Sequence, residues 1–164
     1  LSINKMASNS TLNAQSVNTH IIRSTNSTSP YYKGTSAKTA DFTAEAGYIY
    51  LVTKLDGCAV TLPAPTAGDH IKLVLGGLTS SNHVITSDAA TTLYTGYALM
   101  EDTANGDVAE HAVFAPDGSD DRVLTMNGST TGLSGVICLT GVSNKEWLVE
   151  GRLTASGTVA TPFS

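Results

Sequence analysis

The sequence predicts an all-β fold: a single compact β-sandwich or barrel-like domain with an extended N-terminal arm. Three observations carry this reading. Short apolar runs recur at intervals of roughly 8–12 residues, the rhythm of sandwiches and barrels. Turn dipeptides of explicit chemistry stand between them. Roughly a quarter of the 164 residues are Ser or Thr, and Thr, branched at Cβ, packs well on a pleated strand and poorly in a helix.

Residues 1–40 form the predicted arm. They are polar and rich in Asn, Ser and Thr, and they sustain neither a period of two nor one of 3.6. Such a stretch cannot bury enough apolar surface to offset its own ordering entropy. Two apolar pairs interrupt it, Ile21-Ile22 and Tyr31-Tyr32. Spaced hydrophobes of this kind suit an arm that lies across a partner surface and inserts side chains into it. A plain unstructured leader is the alternative.

Residues 41–164 form the predicted β-domain with a short C-terminal tail. Its expected strands are Tyr48–Lys54, Ala59–Leu62, His70–Leu75, His83–Thr86, His111–Ala115, Arg122–Met126, Gly135–Thr140 and Glu146–Glu150. Alternation is clearest in Tyr48–Val52 and Ile71–Leu75, where both faces are partly apolar. Asp56-Gly57, Asn105-Gly106, Asp117-Gly118 and Asn127-Gly128 offer the positive-φ positions that tight turns need. Pro63 and Pro65 end a strand, because proline donates nothing to a ladder. Residues 98–109 come nearest to a helical pattern, and Asn105-Gly106 limits them to a loop or one turn. In the tail, Phe163 beside Pro162 reads as an anchor for a neighbouring subunit, with a frayed end as the alternative.

Charge narrows the function classes. The net charge is −5 and the pI is near 5.1, which argues against a nucleic-acid partner and against docking on an anionic membrane. No run of about 20 apolar residues is present, so no membrane span is expected. Cys58 and Cys138 each sit in an apolar run and read as small hydrophobes, with their pairing left open. His20, His70, His83 and His111 are scattered, and no H-E-x-x-H, Cys-x-x-Cys, serine elbow or phosphate loop occurs. The chain is therefore expected to be no enzyme, with no catalytic residue, metal or cofactor. Asp117, Asp120 and Asp121 could gather around calcium, but an Asp-Gly turn explains them without an ion. Trp147 alternates with Leu148 and is expected in a core or interface rather than stacked on a sugar.

Three phrases together carry a resemblance. They are Glu45-Ala46-Gly47-Tyr48-Ile49-Tyr50-Leu51-Val52, then Val60-Thr61-Leu62-Pro63-Ala64-Pro65-Thr66-Ala67-Gly68, and finally Glu146-Trp147-Leu148-Val149-Glu150-Gly151. Their order resembles small β-rich virion proteins of tailed phages, especially marine ones: capsid decoration (cement) proteins, head fibres and knob-like fibre modules. The resemblance covers Asp41 to Gly151. It implies a homo-oligomer, commonly a homotrimer, on the capsid surface of the virion, with the major capsid protein as partner. A decoration protein stabilises the shell by bridging neighbouring capsid subunits. Ile21, Ile22, Tyr31, Tyr32 and Phe163 are the expected capsid or subunit docking residues. Two alternatives stand beside this reading: a head or tail fibre or receptor-binding module that recognises a host-surface glycan or protein, and a carbohydrate-binding or adhesin module.

Overall fold

The computed structural model describes residues 32–103 and 111–164, and every regular element among them is a strand. In chain order these are β1 (Gly34–Lys38), β2 (Phe42–Thr43), β3 (Tyr48–Val52), β4 (Ala59–Thr61), β5 (His70–Leu75) and β6 (His83–Thr86). They continue as β7 (Leu93–Asp102), β8 (His111–Phe114), β9 (Val123–Met126), β10 (Ser134–Ser143) and β11 (Glu146–Ala155). Two mixed sheets result, a seven-stranded one ordered β1-β3-β5-β10-β11-β7-β8 and a four-stranded one ordered β2-β4-β6-β9. The fold is all-β, and neither sheet closes into a barrel.

The connectivity is that of a flattened coil. Strands β1, β3 and β5 pair in parallel in the larger sheet, while β2, β4 and β6 pair in parallel in the smaller one. Consecutive strands therefore change sheet at every turn. Gly57 (φ 94°), Gly118 (φ 82°) and Gly128 (φ 74°) adopt the positive φ expected of them. The Asp56-Gly57 turn carries the chain from β3 in one sheet to β4 in the other, not into a hairpin. Asn105-Gly106 lies outside the described residues. The second half then packs antiparallel, β10 on β5 and β9 on β6, and β11 pairs with β10 on one side and β7 on the other.

All eight expected strands are present, His70–Leu75 and His83–Thr86 with the expected ends and the other six with shifted ones. Three more were not expected. Strand β1 lies within residues 1–40 and β2 is only two residues long. Strand β7 runs through ten residues, overlapping the segment read as a loop or turn, and its sequence LYTGYALMED alternates buried and exposed on either side of Gly96. The glycine and the acidic end hide that alternation in the sequence.

One core lies between the sheets. Tyr50, Leu73, Ile137, Leu139 and Val149 come from the larger sheet, while Val60, Ile85, Leu124 and Met126 come from the smaller. Two fully buried aromatics connect the layers. The Trp147 indole N–H donates to the Pro63 carbonyl at 3.2 Å, and the Tyr94 hydroxyl donates to the Ile85 carbonyl at 3.0 Å. Both rings thus bury their apolar bodies with the polar atom paired. At the first turn of the coil, the Phe42 and Tyr50 rings pack at 4.8 Å, and Lys38 Nζ lies 5.0 Å and 5.3 Å from their centroids.

Phe163 departs from its expected role. It belongs to the core of its own domain, 6% exposed, and bridges to Leu124. The tail beside it lies along the edge of β9, where the Thr125 N–H donates to the Pro162 carbonyl and the Val123 N–H to that of Ser164. Its ring is held inside its own domain because the tail's backbone supplies the partners that edge needs.

Two glycines hold the sheet tight around β11. Gly96 (φ 96°) faces Val149, whose carbonyl oxygen lies 2.1 Å from where a Cβ would stand. Gly135 (φ 151°) stands the same way, 2.2 Å from the Arg152 carbonyl oxygen. Trp147→Ala is expected to destabilise by about 3–5 kcal/mol through the cavity it leaves. Gly96→Ala is expected to cost about 2–6 kcal/mol, summing positive-φ strain and overlap. Gly77, with open space at its Cβ position, should tolerate alanine to within about 0.5 kcal/mol. Urea midpoints of the three variants check all of this.

Candidate functional site: the outer face of the large sheet

Residues alternate across a strand, so the seven-stranded sheet has a second face turned away from the core. The registers align a row of side chains on that face across every strand. Ala37 is opposite Leu51, Leu51 opposite Val74, and Val74 opposite Val136. The row continues through Arg152 to Leu99 and Val113. Six of its seven members are apolar, and with strands about 4.8 Å apart it spans about 29 Å. Sheets with one solvated face ordinarily make that face polar. This one does not follow the rule: Leu51 is 38% exposed, Tyr97 44% and Val113 66%.

A second row beside it is mixed: Ile49, Lys72, Cys138, Glu150 and Tyr97. Cys138 is half-buried there, between Lys72 and Glu150, and burial pushes its thiol above the ordinary range. Cys58 is buried immediately before β4 of the other sheet, so the two thiols lie in different layers and both are free. Tyr32, an expected docking residue, is half-buried. Burial first, and the neighbouring Cys138 second, raise its hydroxyl pKa. The other three, Ile21, Ile22 and Tyr31, lie outside the described residues.

The face ends in unpaired edges. Among the described residues no strand pairs with the far side of β1 or β8. Strand β8 is four residues long, with Val113 on the outer face and His111 opposite Glu101. An open edge is a template for another chain. Sequence reasoning missed this face because two of its seven strands, β1 and β7, were not read as strand.

Other groups of chemical interest among the described residues lie in separate places. Among the described residues the three histidines occupy separate places: His70 on the outer face beside Thr140 (3.2 Å), His111 on β8 and His83 in the core. The carboxylates of Asp117, Asp120 and Asp121 come within 4.8 Å of one another. Their contacts are those of a turn, however. Asp117 accepts the Ser119 N–H at 2.8 Å and hydroxyl at 2.7 Å, which holds its carboxyl below the usual range, while Asp121 accepts the Asp117 N–H. An open groove of about 310 Å³ lies nearby between Leu93, Gly118 and Lys145. Its charged side chains are Lys145 and Glu146, and no histidine lines it. Trp147 is fully buried and turned away from any sugar.

No protein-family model, curated protein or solved structure matches this chain.

His83 gives a pH signature. It is fully buried, and neither ring nitrogen has a hydrogen-bond partner. Desolvation lowers its pKa, the Gly76 backbone acts in the opposite sense, and Lys54 adds to the lowering. The unfolded chain binds a proton at this residue below about pH 6.5 while the folded chain stays neutral. Stability should therefore fall as pH drops below that value, by up to about 1.4 kcal/mol per unit, until the lower folded pKa is reached. In His83→Leu this component should vanish, as measured by the difference between wild-type and variant urea midpoints from pH 7.5 to pH 5.

Proposed function

We propose that this chain is a non-catalytic structural protein of a virion, a capsid decoration protein that oligomerises and braces the shell by bridging capsid subunits. The observation that carries the reading is the apolar row running out to the open edge of β8. Val113 stands exposed on the edge strand β8 and Tyr97 on its neighbour β7, so a second chain seated along that open edge buries apolar surface and satisfies backbone groups together. A domain of this size gains proportionately from such burial, since small folds cover little of their own surface. The low charge of the chain, 14% Asp, Glu, Lys and Arg, suits a surface meant to be covered. Binding to an assembled lattice then stabilises that lattice by mass action.

A fibre module is the second reading. It is favoured by the first turn of the coil, where β1 and β2 are both terminal strands of their sheets. Stacking of another coil on that end would extend both sheets at once.

The test is the mass of the full chain in solution and its binding to empty shells of its own virus. A homo-oligomer that binds shells is expected. Val113→Asp should leave the urea midpoint within about 0.5 kcal/mol, because the residue is exposed. The same change should yield a monomer and weaken shell binding by at least about tenfold, since it buries a charge at the contact. A wild-type monomer that ignores shells would overturn the assignment. An oligomer that ignores shells yet joins shafts end to end would move it to the fibre.

A further inference from the structure

The loop of residues 127–133 joins β9 to β10 and opens on Asn127-Gly128. In that dipeptide a carboxamide stands beside a backbone nitrogen that no side chain of its own residue shields. The Gly128 nitrogen can attack Cγ of Asn127 and close a five-membered succinimide ring. The N–Cγ bond forms and the Cγ–Nδ2 bond breaks; the nitrogen gives up its proton, and Nδ2 leaves as ammonia. Water then opens the ring at either carbonyl, giving aspartate or isoaspartate, and nothing is oxidised or reduced. Asn127 is exposed, so water reaches it.

The fold holds both reacting groups in other bonds. The Gly128 N–H donates to the carbonyl of buried Gly132 at 2.8 Å, which keeps the attacking nitrogen in place with its proton. Asn127 Oδ1 accepts the Ser129 N–H at 2.9 Å and the Thr131 N–H at 3.1 Å. Its Nδ2 donates to Thr130 Oγ1 at 2.9 Å, and its backbone N–H donates to Thr131 Oγ1 at 3.1 Å. Turning the carboxamide onto the Gly128 nitrogen therefore breaks several hydrogen bonds together.

The same loop grips the C-terminal segment. The Gly128 carbonyl accepts the Ser156 hydroxyl, the Ser129 carbonyl the Ser156 N–H, and the Thr130 carbonyl the Ala160 N–H. From there the tail runs on to Pro162 and Ser164, which cover the edge of β9. Aspartate at position 127 keeps an oxygen where Oδ1 stands. Isoaspartate routes the main chain through Cβ and Cγ, lengthening the loop by one carbon and displacing the three carbonyls that hold the tail.

We propose that Asn127-Gly128 is a modification site guarded by the fold, and that its conversion to isoaspartate after local opening releases the C-terminal tail from β9. The site is the same whatever the chain assembles with, so this inference and the virion reading can fail separately.

Wild-type protein and T130V/T131V are incubated at one fixed pH and temperature, in buffer and in urea. Peptide mass spectrometry with electron-transfer fragmentation reads aspartate and isoaspartate at position 127. Wild type should convert at least about tenfold more slowly in buffer than in urea, since the folded chain must first open. In urea the Asn105-Gly106 dipeptide of the same chain sets the rate of an open pair. A folded T130V/T131V should convert about threefold or more faster than wild type in buffer, and equally fast in urea. Equal wild-type rates in buffer and urea overturn the proposal, as does a folded variant no faster than wild type. So does an Asn127 that lags Asn105 in urea, because sequence rather than fold would then slow it. If the variant does not fold, the wild-type comparison decides.

Tail release is read by hydrogen exchange on wild type aged in urea and refolded, beside N127D treated identically so that both carry the same change at Asn105. The Thr125 and Ala160 amides, bonded to Pro162 and Thr130 in the folded chain, should exchange about tenfold faster in the isoaspartate fraction than in N127D. The two products carry the same charge, so equal exchange in both overturns the proposal.

Discussion

The fold depends on how closely two backbones approach β11. This strand has ladders on both sides, to β10 and to β7, and each neighbour meets it through a glycine where a single carbon would collide with a carbonyl oxygen. Trp147 then holds β11 to the other layer through Pro63, and Tyr94 on β7 repeats that link through Ile85. Backbone closeness and cross-layer aromatics act on the same strands. Weakening either loosens both the large sheet and its seat on the small one.

Much of this was legible in the residues. Turn dipeptides and alternating runs located eight strands, and Trp147 read as a core residue. What could not be read was the pairing. A parallel coil needs neighbours far apart in sequence, and nothing in Tyr48–Val52 alone says that its partners are Gly34–Lys38 and His70–Leu75. Strand β7 stayed hidden for a local reason: Gly96 interrupts its pattern, and its value lies in a contact with Val149 that only the folded chain reveals. Phe163 was recognised as an anchor, but its pocket is in its own domain.

The candidate site was less legible still. Its members are ordinary residues, such as Leu51, Val74, Val136 and Val113, each unremarkable in a strand with two partly apolar faces. They become a feature only when register lines them up across seven strands. A surface site built from register leaves no motif, because its spacing is set by hydrogen bonds between strands and not by steps along the chain. Cysteine spacing likewise said nothing of Cys138 standing on that surface while Cys58 is buried in the opposite layer.

The order in which strands are made has its own consequence. Strands β1 to β6 find their partners among themselves, so the coil can form while the rest of the chain is still being synthesised. Strand β7 cannot follow suit: Leu93 must wait for Glu146, and the parallel ladder between them closes a long loop. During that interval a ten-residue strand carrying Tyr94, Tyr97, Leu99 and Met100 has only β8 beside it. Yield in the cell should then be set by how quickly β11 arrives rather than by the stability of the finished protein, and slow translation after Asp102 would favour aggregates over folded chains.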